Sequence, residues 1–142
     1  MKPKSFGVCL HFEDNDRDVW SGRPVDLDAW RYALRAFGGN RLAVVNLTGA
    51  ELAVHDEHLR FEQHASLEEF VDLHEKEHLV FVELGGPNLR DFSHPGDCWY
   101  VFGGTSVTLP RADITVPTCG VVLHPVHAAQ IVLWDRASKE SA

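Results

Sequence analysis

The chain has 142 residues, 44% of them apolar and 10% aromatic, which is enough to bury one core and too few for two independent ones. Thirteen basic against 21 acidic residues leave a net charge of −8, which disfavours broad binding to phosphate backbones unless basic side chains cluster locally. Cys9, Cys98 and Cys119 are widely separated and form no CxxC pair, and so fit a reducing compartment better than a disulfide framework. No apolar signal core follows Met1, and no run approaches the roughly 18 apolar residues of a membrane span, so a cytoplasmic protein without a membrane partner is expected.

Ser5 to Phe12 reads as a first strand, with Phe6, Val8 and Leu10 on one face. Glu13 to Pro24 is acidic and punctuated by Gly22 and Pro24, and reads as a long, solvated loop. Asp26 is placed to cap a helix whose apolar positions are Leu27, Trp30, Ala33, Leu34 and Phe37, with Gly38-Gly39 as its stop. Arg41 to Leu47 is a short buried strand closed by Thr48 and Gly49. Glu51 to His64 is ambiguous, either a short strand or an irregular excursion around Leu52, Val54, Leu59 and Phe61.

Ser66 and Glu69 form a capping box, and Leu67, Phe70, Val71 and His74 trace the following helix face. Leu79 to Leu84, Asp97 to Phe102 and Ala112 to Val116 read as three further strands, the last stopped by Pro117. A final helix of about Pro125 to Ala137 carries an almost wholly apolar face from Val126 through Ile131, Val132 and Trp134. Strands alternating with helices imply a single α/β domain, a mainly parallel sheet with helices on both faces. In such sheets ligands bind beyond the carboxyl ends of the strands. Three successive strand exits here carry loop-formers: Gly85-Gly86-Pro87, Gly103-Gly104-Thr105 and Pro117-Thr118-Cys119-Gly120. Glycine lets backbone approach a ligand closely, so a small-molecule pocket is expected at that edge.

The C-terminal half, Tyr100–Pro110 (YVFGGTSVTLP), Ile114–Pro117 (ITVP) and Val121–Asp135 (VVLHPVHAAQIVLWD), resembles the SpoU-like branch of the SPOUT superfamily of RNA methyltransferases. That branch carries a strand ending in a phrase of the form FGPExxGLP, a short apolar strand ending in Pro, and a Ser-Leu-Asn phrase opening an Ala-rich helix. The resemblance covers the chain in element order, and individual residues from about Leu79 onward. It implies a C-terminal trefoil knot, an exception to ordinary chain topology. It also implies S-adenosylmethionine bound to the knotted loops through Leu84, Gly85, Gly103, Val116 and Leu123. A homodimer through the C-terminal helix is implied too, with Ile131 and Trp134 as its apolar surface.

The chain also departs from the family pattern. The family's Glu falls on Thr105, its Arg on Val107, the glycine before Leu-Pro on Thr108, and its Asn on His124, followed by Pro125. The helix arginine of the 2′-O-methylating branch falls on Tyr32. His124 is the group chemically able to take or polarise a ribose hydroxyl proton and is the catalytic candidate. Two readings follow, an S-adenosylmethionine-dependent RNA methyltransferase and a non-catalytic scaffold of the same fold that binds a ligand or a protein. A stripe of Arg17, Arg23, Arg31, Arg35 and Arg41 converging near the pocket would favour RNA.

His74 to His78 spells HExxH, a zinc phrase when both histidines share a helix face. The helix is expected to end at His78, where the helix dipole alone favours a histidine, and only His94 and Glu83 offer themselves as a third ligand. No metal is therefore expected, and a stoichiometric zinc ion would revive that reading. His55, Asp56, Glu57 and His58 read as a solvated loop, and His124 and His127 as caps or interface residues beside the pocket. Cys119 reads as a small residue without an activating partner. Trp20, Trp30, Trp99 and Trp134 are scattered and read as core or interface.

Overall fold

The computed structural model describes residues 5–12, 27–46, 56–103 and 107–141, and five parallel strands within them form one sheet. The strands are β1 (Phe6–His11), β2 (Arg41–Val45), β3 (Arg60–His64), β4 (Leu79–Val82) and β5 (Cys98–Phe102), in the order β3-β2-β1-β5-β4. The central strands β1 and β5 and the edge strand β4 are buried throughout, as expected of continuous apolar runs in a parallel sheet. The Glu13–Pro24 loop, the Asp26 cap, Thr48, Gly49, Leu52, Val54, His55, Trp20, Arg17, Arg23, Gly104 and Thr105 lie outside the described residues.

Side chains of successive strand residues point to opposite faces, and this alternation divides the core in two. Phe6, Val8, Leu10, Leu42, Val44, Tyr100 and Phe102 pack with α1 (Leu27–Ala36) and α3 (Pro125–Ser141). Cys9, Ala43, Val45, Phe81, Trp99 and Val101 pack with Phe70 of α2 (Leu67–Leu73) on the other face. Helices therefore cover both faces. In α1, Trp30, Ala33 and Leu34 are buried, and Trp30 meets Phe102 edge to face at 5.6 Å. The helix stops at Gly38, whose φ of 87° is costly for any residue with a Cβ. At α2, Ser66 Oγ accepts from the Glu69 N–H at 3.1 Å. The Glu69 carboxylate reaches back past the cap to the Ala65 N–H at 2.8 Å and so ties down the residue that leads into the helix.

One open alternative is resolved and three elements differ from the sequence expectation. The ambiguous Glu51–His64 span contains β3, an edge strand that is half exposed and so lacks the apolar signal of its neighbours. Helix α2 ends at Leu73 with His74 as its C-cap, so His78 lies past the helix and the HExxH phrase is not helical. The strand expected over Ala112–Val116 reduces to two isolated bridges, Val82 to Ile114 and Asn88 to Thr115, because Pro110 and Pro117 confine it to the edge of β4. Helix α3 runs on to Ser141, and its inward face is not wholly apolar, because Arg136 lies on it with 1% of its surface exposed.

That buried cation is matched by fixed acceptors. Arg136 donates to the Pro95 carbonyl at 2.6 Å, the Gly96 carbonyl at 2.7 Å and the Tyr100 hydroxyl at 3.1 Å. Its guanidinium also lies 4.1 Å from the Phe6 ring centroid, a cation–π contact inside the core. Together these contacts tie Pro95 and Gly96 to α3 and β5.

Candidate functional site

At the carboxyl ends of β4 and β5 a cleft opens between the strand exits and the start of α3. Val82, Leu84, Phe102, Gly103, Val116 and Leu123 line it, with Glu83, Thr118, Val121, Val122, Pro125 and Ala128 completing the wall. This is where a parallel sheet of this kind offers a ligand site, because strand ends and helix starts leave backbone groups facing the opening. Four of the five positions that the resemblance assigns to the cofactor, Leu84, Gly103, Val116 and Leu123, thus share one wall. Gly85 follows directly on Leu84 in the left-handed region, φ 86°, and turns the chain away from β4. Thr115 fixes that turn, its hydroxyl donating to the Glu83 carbonyl at 2.6 Å and accepting from the Gly86 N–H at 2.7 Å. Nothing in the sequence marks Thr115 for this role.

Gly103 is needed for space rather than for backbone freedom. A Cβ there would stand 3.0 Å from the Val107 carbonyl oxygen and 3.2 Å from Leu109 Cγ. The cleft wall and the buried Leu109 are therefore in direct contact through this residue. Leu84, Val121 and Val122 are exposed apolar side chains at the rim, a place where large hydrophobic residues mark contact with a ligand or partner.

His124 precedes α3 and caps it. Its carbonyl accepts from the His127 and Ala128 N–H groups at 3.0 and 3.2 Å, and its Nδ1 accepts from the Val126 N–H at 3.2 Å. A neutral ring that accepts at Nδ1 carries its proton on Nε2, so in this arrangement Nε2 is a donor rather than a base. His124 flanks the cleft between Leu123 and Pro125, and is not itself among the residues lining it.

On the α3 face of the sheet, a chain of polar contacts links β5 to the second half of α3. Arg136 donates to the Tyr100 hydroxyl, which stands 2.7 Å from His94 Nδ1, while His94 Nε2 stands 2.7 Å from Asp135 Oδ2. The polarity is consistent if Tyr100 donates to Nδ1 and a neutral His94 donates from Nε2 to Asp135. Burial lowers the pKa of His94 below its ordinary value despite Asp135, and burial raises that of Tyr100 above the usual phenol range. Lys139 closes the network on Asp135 at 2.8 Å.

The basic stripe does not form among the described arginines. Arg31 pairs with Asp28 at 2.8 Å and Asp56 at 3.1 Å on the α1 side. Arg41 lies on the opposite face, paired with Glu77 at 2.6 Å and bonded to the Ser5 and Cys98 carbonyls. Arg35 is exposed at the end of α1.

The fold is that of TrmH/SpoU methyltransferases. A structure giving insight into the 2-OH methylation of C/U34 on tRNA superposes with a TM-score of 0.73 at 16% identity, covering 99% of each chain. The TrmH/SpoU tRNA modifying enzyme of A. aeolicus gives 0.70 at 11% identity, over 99% of this chain and 77% of that one. The SpoU methyltransferase AviRb from Streptomyces viridochromogenes, in complex with AdoMet, gives 0.71 at 16% identity over 100% of this chain. This chain spans 60% of AviRb and 61% of a TrmH-family protein from Porphyromonas gingivalis. No family sequence profile matches the chain, and no curated protein matches it. Among the described residues, no helix is long and apolar enough to cross a membrane.

Proposed function

We propose that this chain, whose fold is shared with SpoU-type RNA methyltransferases, binds S-adenosylmethionine in the cleft at the ends of β4 and β5 and transfers its methyl group to RNA. The observation that carries this reading is the convergence of Leu84, Gly103, Val116 and Leu123 on one cleft, with Gly85 at its lip. A further support is that a neighbour of the same fold, AviRb, was solved in complex with AdoMet. In this reading the apolar wall takes the adenine and ribose carbons, and the backbone groups of the strand exits supply the polar contacts. The C-terminal segment forms a trefoil knot around the cofactor. The protein is a cytoplasmic homodimer, with the exposed Ile131 and Trp134 of α3 in its interface.

Methyl transfer to a hydroxyl needs the acceptor oxygen to lose its proton as the carbon–oxygen bond forms. His124 stands beside the cleft with Nδ1 engaged in capping α3, and in that tautomer Nε2 carries a proton and cannot receive the one the acceptor loses. It serves as the base when the cap to Val126 opens and the ring proton moves to Nδ1, so that the Nε2 lone pair receives the hydroxyl proton as the methyl group leaves the sulfonium. The test is transfer of labelled methyl groups from S-adenosylmethionine to unmodified transfer RNA. The expected result is labelled RNA with the wild-type chain and, at S-adenosylmethionine below saturation, at least tenfold less with Gly103→Val.

A second reading is favoured by two observations. His124 is committed as a cap, and Arg31 and Arg41 are committed to carboxylates on opposite faces. On that reading the chain binds the same cofactor or a related nucleoside without catalysis. Cofactor binding with no transfer to RNA would establish it in place of the first.

A further inference from the structure

On the sheet face opposite the cleft, and at the opposite sheet edge, three potential metal ligands converge. Glu62 and His64 are two residues apart on β3 and therefore point to the same side. His74, the C-cap of α2, comes down onto them. His64 Nε2 lies 2.5 Å and His74 Nε2 2.8 Å from the same oxygen, Glu62 Oε2, and the three ligand atoms lie within 4.8 Å of one another. The geometry points to a site for a divalent transition ion of the zinc class, bound by Glu62, His64 and His74.

The donor set is two imidazoles and one carboxylate, which suits zinc with a further position open. A tetrahedral ion with bonds of about 2.1 Å holds its ligands about 3.4 Å apart, so the two imidazoles must each withdraw from Glu62 by less than about 1 Å. The His64 and His74 side chains are 11% exposed and that of Glu62 is 30% exposed, which fixes the rings and leaves the open position in reach of water.

A second layer of contacts orients the ligands. His74 Nδ1 is bonded to Glu77, which in turn accepts from Arg41 at 2.6 Å. A carboxylate on the far nitrogen of a metal-binding histidine fixes its tautomer and strengthens its donation to the metal. Arg41 is itself held over the Trp99 ring at 4.4 Å. That stacking crosses Gly7, which pairs with both Arg41 and Trp99 in the sheet and where a Cβ would come within 2.6 Å of Arg41 Cβ. His74 rests on Trp99 and Phe70, with ring centroids 5.0 and 4.6 Å away. The site thus has three ligands, an oriented second layer and an aromatic floor.

This assignment divides the HExxH phrase differently from a zinc protease. His74 is a ligand and Glu77 its support, whereas His78 is exposed and contributes its carbonyl to the Trp99 N–H at 2.9 Å. The partners of His74 come from β3. A bound ion would tie the half-exposed edge strand to α2, and it stands apart from the cleft, so its binding and cofactor binding can fail independently.

The test is equilibrium dialysis of the full chain, stripped with a chelator, against zinc(II), with cobalt(II) as the spectroscopic probe of the ligand set. One zinc per chain, a raised melting temperature and a tetrahedral cobalt spectrum are expected. His64→Ala, His74→Ala and the near-isosteric Glu62→Gln should each abolish all three, and His78→Ala should leave them unchanged. Glu77→Gln should weaken zinc by about 10- to 100-fold while retaining the stoichiometry. Absence of stoichiometric zinc in the wild type would overturn the assignment, as would zinc retained by a folded Glu62→Gln chain or lost from His78→Ala.

Discussion

Replacing Gly103 by valine probes the cleft and its packing together. The backbone of Gly103 is not in the left-handed region, in contrast to Gly38, Gly85 and Gly120, so the effect of a side chain is steric alone. The new Cβ would meet the Val107 carbonyl oxygen at 3.0 Å and Leu109 at 3.2 and 3.4 Å, and valine adds two methyl groups beyond that contact. Leu109 is buried in the α2-side core and cannot retreat without opening it. Overpacking of this kind costs about 1–3 kcal/mol, and the strain is relieved by pushing the 107–109 segment or the new methyls toward the cleft. A denaturant titration should therefore show a stability loss in that range. Calorimetry should show affinity for S-adenosylmethionine weakened at least tenfold, about 1.4 kcal/mol. Gly103→Ala should give a smaller effect of the same sign. A valine variant that loses stability yet binds the cofactor with wild-type affinity would place the site elsewhere. One that loses neither would refute the packing argument as well.

Arg136→Met removes the cation that satisfies the Pro95 and Gly96 carbonyls and the Tyr100 hydroxyl. It should cost on the order of 3–5 kcal/mol in denaturant unfolding, and a cost below about 1 kcal/mol would contradict its structural role. His94 has a folded pKa below its ordinary value of about 6.5, so it binds fewer protons folded than unfolded in the window beneath that value. Its contribution is present above about pH 6.5 and is lost as pH falls through the folded value. The stability of His94→Gln should accordingly fall less steeply than wild type on acidification below pH 6.5, and parallel slopes would contradict this. Trp134 is 60% exposed on α3, and Trp134→Glu should convert the expected dimer to monomer in analytical ultracentrifugation. An unchanged dimer would move the interface off this face.

The strands most legible in the sequence were those buried on both faces. Phe6–His11, Leu79–Val82 and Cys98–Phe102 are apolar runs bounded by turn residues, which is how a doubly covered parallel strand must look. Arg60–His64 stayed ambiguous in that reading because an edge strand with polar side chains (RFEQH) carries no such run. The cleft was legible for a topological reason. Parallel strands bring all their carboxyl ends to one side, so the exits of β4 and β5 had to lie near one another. The Glu62–His64–His74 cluster was not legible, since two of its members sit in a span where the periodicity left strand and irregular excursion open. The third sits in a phrase whose expected helix stops at Leu73. Arg136 was hidden for a different reason: one cation on an apolar helix face is recognised as core only when the carbonyls of Pro95 and Gly96 are seen to meet it.

Calorimetric titration of the wild-type chain with S-adenosylmethionine and S-adenosylhomocysteine tests the central claim most directly. The account predicts binding of either at one site per chain, competitive between the two and weakened by Gly103→Val. No heat and no competition at millimolar ligand would contradict it, leaving the fold without the cofactor that its cleft is proposed to hold.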